Sequence, residues 1–259
     1  MIALIVFLYG LCLGSFANVL IWRLLRGQSI QGRSMCPHCG HKLIWSDLLP
    51  LLSFIFFRGK CRYCSKSISL RYPLIEFITG ALFAVAAILF PPLDALTGLI
   101  LIKSLMIVFV GIIVFVIDLE HYLILNKIVF PAAAIVLVII GIEAALQGSA
   151  SLLVEPLLSA LSAFGVFWLT WFLSKGKWMG LGDVKFAGLM GLMLGWPGVL
   201  VALMLAFVVG ALVGMMLMAL GRKQLSSRIP FGTFLSAATI MSLLFGTQLW
   251  EWYRGLINI

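Results

Sequence analysis

The sequence predicts an all-α polytopic membrane protein of about eight transmembrane helices, with a small cytoplasmic zinc-binding loop subdomain. Three observations predict it. Of 259 residues, 63% are hydrophobic and only 10% charged, whereas a soluble domain is nearer half apolar and a quarter charged. The apolar residues come in runs of about 20, the length that crosses ~30 Å of hydrocarbon. The basic residues fall almost entirely on one side of those runs, as the positive-inside rule requires.

The runs are 2–22, 74–91, 96–117, 123–143, 151–173, 184–196, 198–220 and 230–250, the sixth being short. The first has no basic segment before it and carries its charges after it, so it reads as an uncleaved span with its N-terminus outside. The recurrence of apolar runs to the C-terminus excludes a secreted protein with a single signal peptide. The chain divides into a first transmembrane helix (1–22), a polar subdomain (23–73) and a transmembrane core (74–259). The segment 23–73 holds nine basic residues, from Arg23 and Arg26 to Lys66 and Arg71. With eight spans, Lys127, Lys175, Lys177, Lys185, Arg222, Lys223 and Arg228 fall on the same side, giving sixteen there. Only Arg254 lies opposite, and Lys103 sits within a span. That places the polar subdomain in the cytoplasm and both termini outside. The net charge of +9 therefore reflects orientation in a lipid bilayer, and no nucleic-acid partner is expected.

Within the subdomain, Cys36-Pro37-His38-Cys39 is followed after 21 residues by Cys61-Arg62-Tyr63-Cys64. Two CxxC knuckles at this separation fit a tetrahedral Zn²⁺ site of Cys36, Cys39, Cys61 and Cys64. Gly40 and Ser65 follow the knuckles, where a tight turn needs small residues. A reducing cytoplasm disfavours the alternative of two disulfides. Four thiolates leave no open position, so the zinc is structural, and it would order a loop too poor in apolar residues to build a core. His38 and His41 are alternative ligands. Cys12, in the first span, reads as a small packing residue.

Nine residues are acidic. Asp94, Glu143, Glu155 and Glu251 sit at or near external span ends and read as hydrated. Asp47 lies in the subdomain, and Glu120 and His121 read as solvated loop groups. Asp118 ends the run Ile112-Ile113-Val114-Phe115-Val116-Ile117, and Asp183 lies in Met179-Gly180-Leu181-Gly182-Asp183-Val184-Lys185. Both fall at the cytoplasmic membrane face. A carboxylate beside hydrocarbon is costly and marks function by default. An ion pair between Asp183 and Lys185, or a helix cap, is the structural alternative. Paired carboxylates suit acid–base hydrolysis, because two close Asp groups share one proton: one activates water and the other polarises a carbonyl. Gly180 and Gly182 remove Cβ atoms beside Asp183, so a substrate backbone can approach. Glu76, at the start of the second span, is either a third polar member of the site or the partner of Arg71. A carboxylate-dependent transporter or channel is the competing class. It would favour acids near the midplane and broken spans in paired halves, and a non-catalytic scaffold would need no such acids.

Several motifs together resemble the type IV prepilin peptidases, bifunctional leader peptidases and N-methyltransferases that are membrane aspartic proteases of the GxGD type. They are Gly14-Ser15-Phe16-Ala17-Asn18-Val19 with Arg23, the two-CxxC loop with Leu49-Pro50-Leu51-Leu52-Ser53, and Arg58-Gly59-Lys60-Cys61-Arg62. Ser69-Leu70-Arg71-Tyr72-Pro73-Leu74-Ile75-Glu76, Asp118, Gly180-Leu181-Gly182-Asp183-Val184-Lys185 and Ile229-Pro230-Phe231-Gly232 continue the likeness. The resemblance implies Asp118 and Asp183 as catalytic residues, with Gly180, Gly182, Glu76 and Lys185 supporting them. It implies cleavage of type IV prepilins and pseudopilins after a glycine that ends a basic leader, in the bacterial inner membrane. It further implies methylation of the new N-terminus from S-adenosylmethionine. Leu125, in Ile124-Leu125-Asn126, stands where the family usually has proline.

Overall fold

The computed structural model describes residues 1–221 and 229–256. Arg222, Lys223 and Arg228 of the charge count lie outside the described residues. The helices are α1 (Ile2–Leu25), α2 (Leu52–Phe56), α3 (Arg71–Leu89), α4 (Ala95–His121), α5 (Asn126–Gln147), α6 (Ser151–Leu173), α7 (Leu181–Ala219) and α8 (Phe231–Leu256). Among the described residues there is no β-strand, only two isolated bridges. Seven helices, all but α2, are long and apolar enough to cross a bilayer. The expected all-α membrane fold is thus found. Along α6, Leu158, Leu161, Val166, Leu169, Phe172 and Leu173 are each more than half exposed, a surface that only lipid or another apolar face accommodates.

By compactness the chain forms two units, Met1–Pro91 and Pro92–Ile259. In the first, α3 runs antiparallel on α1, and glycine decides how closely. A Cβ at Gly10 would lie 2.8 Å from Gly80 Cα, and one at Gly14 would lie 2.7 Å from Glu76 Cα. Small residues let helix backbones meet in a membrane, where no hydrophobic force drives helices together. Asn18 closes the same interface, its Nδ2 donating to the Tyr72 carbonyl at 3.2 Å. Below it, the Arg23 guanidinium donates to the carbonyls of Ile30, Gln31, Gly32 and Arg33 and folds that loop back under α1.

The second unit contains α4 to α8. Its longest element, α7, would run about 58 Å if straight, roughly twice the hydrocarbon thickness. It is not straight. Gly195 (φ 63°, ψ −168°) and Trp196 (φ −92°, ψ 141°) are non-helical, and Pro197 follows. Contacts show that the chain reverses there. Gly191 packs on Ser159 and Ala160 of α6 and Gly188 on Phe164, while Trp196 N–H donates to Glu155 Oε1 at 2.7 Å. After the break, Phe207 returns to Phe167, with ring centroids 6.0 Å apart. The second limb then descends antiparallel to α8. Gly198 O accepts from Ser242 Oγ at 2.7 Å, Gly210 meets Phe234 and Gly214 meets Ile229. The limbs 181–194 and 197–219 therefore correspond to the sixth and seventh predicted spans, and the first rises only about 21 Å.

Two acids expected to be hydrated have other roles. Glu143 is 6% exposed and accepts a 2.6 Å bond from Lys103 Nζ. Each long side chain neutralises the other across α4 and α5, the arrangement that makes a charge tolerable in a membrane interior. Glu155 holds the Trp196 amide at the α7 reversal. Cys12 is exposed on α1 and does not pack internally.

Candidate active site and metal centre

Asp118 sits in the last turn of α4, only 4% exposed. Its Oδ2 accepts from Thr233 N–H at 2.7 Å and from Thr233 Oγ1 at 3.1 Å. Thr233 lies in the first turn of α8, where the amide groups have no partner within the helix. The carboxylate thus caps a second helix from outside and faces the positive end of its dipole. Gly232 makes this possible. A Cβ there would lie 2.9 Å from Asp118 Cγ and Oδ2, and 2.7 Å from Ile124 Cδ1.

Asp183 lies in the first turn of α7 and reaches back, its Oδ2 accepting from Gly180 N–H at 3.2 Å. The helix-cap alternative is therefore present in part. The Lys185 alternative is not: Lys185 Nζ donates to Asn126 Oδ1 at 3.1 Å, which ties the start of α7 to the start of α5. Gly182 faces Ile124, whose Cβ would be 3.0 Å from a Cβ at that position. Ile124 thus touches both Gly182 and Gly232, and it brings the two aspartate-bearing helix ends together. Asp118 and Asp183 are close enough to interact electrostatically. Two carboxylates at adjoining helix N-termini, flanked by Gly180, Gly182 and Gly232, can share a proton and hold a water.

The loop between Asp118 and α5 keeps its shape without proline. Tyr122 takes the left-handed conformation (φ 57°, ψ 38°) and its N–H returns to Asp118 O. Leu125 then starts α5 with φ −84°, within about 20° of the value a proline ring imposes.

Glu76 is 8% exposed and accepts from Leu51 N–H at 2.9 Å, with the Ser15 hydroxyl also a partner. It belongs to the first unit and anchors the loop at Leu51, which has φ 58°. Sequence reasoning did not single out Thr233. The only signal was its place immediately after Ile229-Pro230-Phe231-Gly232.

The four cysteines converge. The sulfurs of Cys36, Cys39, Cys61 and Cys64 all lie within 4.8 Å of one another, and Cys36 Sγ and Cys64 Sγ are 3.9 Å apart. Zinc–sulfur bonds of ~2.3 Å in a tetrahedron place sulfurs about 3.8 Å apart, so the donor set fits. The two knuckles use the same backbone bonds. Cys36 N–H donates to His41 O and Gly40 N–H to Cys36 O; Cys61 N–H donates to Lys66 O and Ser65 N–H to Cys61 O. Gly40 and Ser65 both have positive φ, 70° and 57°. Residue identity shows this repeat only in the CxxC spacing and the small residues Gly40 and Ser65. His41 is not a ligand in this arrangement: its ring stacks on Tyr63 with centroids 3.6 Å apart. Burial raises the Cys36 thiol pKa, but the amides of His38 and Cys39 outweigh it and bring it down to about 7. At Cys64 the Lys66 amide favours thiolate, yet burial and the neighbouring thiols push it up to about 11. Thiolates crowded this closely would repel one another, and a divalent cation would neutralise them.

Fold and site together define a multi-pass helical membrane protein with a helix-end carboxylate pair and a four-cysteine cluster. Residues 8–90 match the bacterial peptidase A24 N-terminal domain, and residues 105–215 match the type IV leader peptidase family. A "Prepilin leader peptidase/N-methyltransferase" of Aeromonas hydrophila is 32% identical, covering 96% of this chain and 92% of its own. Proteins of the same name from Aeromonas salmonicida (strain A449) and Klebsiella pneumoniae are 31% and 35% identical, covering 98% and 77% of this chain and 94% and 88% of theirs. No solved structure matches. The chain belongs to the type IV leader peptidase family, a family of proteases, and is an enzyme.

Proposed function

We propose that the chain cleaves the basic leader from type IV prepilins and pseudopilins after a glycine, using Asp118, Asp183 and one water, and that it then N-methylates the new N-terminus. The supporting observation is the meeting of Asp118 and Asp183 at adjoining helix ends, joined through Ile124, which packs closely on Gly182 and Gly232. One aspartate takes a proton from water as its oxygen attacks the scissile carbonyl carbon. The other gives its proton to the carbonyl oxygen. The C–N bond then breaks and the leaving amine takes a proton from the pair. Gly180, Gly182 and Lys185 are positioning groups in this reading, Lys185 acting through Asn126; Glu76 is a supporting group that holds the Leu51 loop within the first unit. The cysteine cluster holds a structural Zn²⁺. S-adenosylmethionine supplies the methyl group, as the relatives' name supports.

The enzyme is placed in the bacterial inner membrane with the cysteine loop and aspartates on the cytoplasmic side and both termini outside. The span count supports that sidedness: four spans, α3 to α6, separate the basic residues of 23–73 from Lys175, Lys177 and Lys185, an even number that returns the chain to the same face. A basic leader would lie on that face, with the apolar stem of the substrate in lipid. The test is purified protein incubated with a prepilin and labelled S-adenosylmethionine. The expected result is a shorter product that carries label; an uncut prepilin overturns the peptidase reading. Thr233→Val removes one donor from Asp118 and keeps the backbone one. It is expected to lower kcat about tenfold with KM little changed, measured by cleavage kinetics.

A further inference from the structure

We infer that the second unit binds a monovalent metal cation, Na⁺ or K⁺, in a cavity beside the α7 reversal. The cavity has a volume of about 190 Å³, and Lys103 of α4, Glu143 of α5, Glu155 of α6 and Met193, Gly195 and Trp196 of α7 line it. It lies well away from the aspartates. At the rise of an α-helix, Lys103 stands about 22 Å from Asp118 along α4, and Gly195 about 18 Å from Asp183 along α7.

The charges in this cavity do not balance. Glu143 is 6% exposed. Its Oε2 accepts from Lys103 Nζ at 2.6 Å, but its Oε1 has no hydrogen-bond partner. A buried ion pair repays its desolvation only where the remaining lone pairs are met, and an unmet buried oxygen in the wall of a polar cavity points to a ligand. Glu155, exposed on the same wall, adds a second carboxylate. Its Oε1 accepts from Trp196 N–H at 2.7 Å. Gly195 leaves it room, since a Cβ there would lie 3.0 Å from that oxygen. One ammonium against two carboxylates leaves negative charge in excess. The backbone adds to the excess. The limb 181–194 ends at the cavity, and a helix C-terminus carries the negative end of the dipole. The Met193 carbonyl has no amide donor four residues on, because Pro197 stands there.

A cation meets both needs at once. Water would satisfy Glu143 Oε1 but leave the excess charge in place. Hard cations take oxygen ligands, and the acceptors here are carboxylate and carbonyl oxygens. Carbonyls at the end of a broken membrane helix coordinate alkali cations in the same manner. The ion is monovalent because Lys103 already neutralises one of the two carboxylates; a divalent ion would leave positive charge beside the ammonium. The ammonium of a lipid headgroup carries the right charge, but its carbon chain would have to follow it to the buried Glu143. A bound metal ion would tie α4, α5 and α6 to the reversal at the end of the unit opposite Asp118 and Asp183.

The test uses the full chain in detergent at fixed ionic strength, with NaCl or KCl exchanged for choline chloride, and does not depend on cleavage. Equilibrium dialysis with radioactive sodium is expected to retain about one ion per chain, and Tm in NaCl or KCl to exceed that in choline by about 3 °C. Glu143→Gln keeps an acceptor for Lys103 and removes the excess charge. It is expected to weaken retention about tenfold and to abolish the Tm difference; Glu155→Gln, at an exposed position, gives the same readout if the first variant does not fold. Lys103→Met separates a cation site from a closed ion pair. It leaves both carboxylates without the ammonium, so sodium retention is expected to tighten and the Tm difference to widen. A closed ion pair predicts instead a loss of stability that is equal in all three salts. Equal Tm in the three salts for the parent and for Lys103→Met overturns the inference. So does stabilisation by added phosphatidylethanolamine that neither Na⁺ nor K⁺ reproduces.

Discussion

Asp118→Asn and Asp183→Asn are each expected to lower prepilin cleavage by about 10³-fold or more, while the protein still inserts and purifies. Asparagine is nearly isosteric with aspartate. At position 118 its oxygen can still accept from Thr233 N–H, now 2.7 Å from Oδ2, so the cap on α8 survives. What is lost is the exchangeable proton and the charge. At position 183 the local bond to Gly180 N–H can likewise be kept. A purely structural role for either residue therefore predicts near-normal cleavage, and a catalytic role predicts almost none. The double variant adds a sharper criterion. Two groups that share one proton act as a unit, so removing both costs little more than removing one. Full additivity of the two losses would mean that they act in separate steps. Cleavage retained by either single variant removes that residue from the mechanism.

How much of this was legible in the sequence follows from the range of the interactions. A charge beside hydrocarbon is conspicuous whatever surrounds it, so Asp118 and Asp183 stand out along the chain. The CxxC knuckles are legible because each is a local turn with its own spacing. Apolar run length located the helices, and even the short sixth run was real: it is the 181–194 limb before the break at Gly195 and Trp196. What could not be read is pairing across long separations. Glu143 looked like a hydrated end group because Lys103, forty positions earlier, is invisible as its partner. Thr233 is an ordinary threonine until α8 is laid against α4. Its 2.7 Å bond spans 115 positions, and no periodicity reports that. Ile124 drew notice only as the residue before Leu125, yet it is the side chain on which Gly182 and Gly232 both close. Leu125 shows the reverse error of emphasis. The missing proline concerned a local backbone angle that leucine adopts at φ −84°, because the left-handed Tyr122 already turns the chain.

Zinc removal is expected to have the second large effect, confined to the first unit. The loop 29–69 contains one 3₁₀ turn at Trp45–Leu48 and the five-residue α2, and in neither is any residue buried. Its buried hydrophobic residues are Cys36 and Cys61 themselves. Packing therefore cannot hold it, whereas a structural zinc contributes on the order of 10 kcal/mol in small metal-folded peptides. Purified protein is expected to carry about one zinc per chain, and Cys36→Ser combined with Cys61→Ser to carry almost none. Limited proteolysis of that variant, or of chelator-treated parent, should cut within 29–69 while the fragment 92–221 stays intact, because its helices bury their own core of residues such as Ile113, Val184, Phe186 and Met190. A loop that resists protease without metal would mean that the cysteines pack as ordinary small residues. Loss of the 92–221 fragment together with the loop would mean that the metal supports the whole molecule. The expected outcome lies between these: a loop tethered by Arg23 and Glu76 whose order between those tethers depends on the ion.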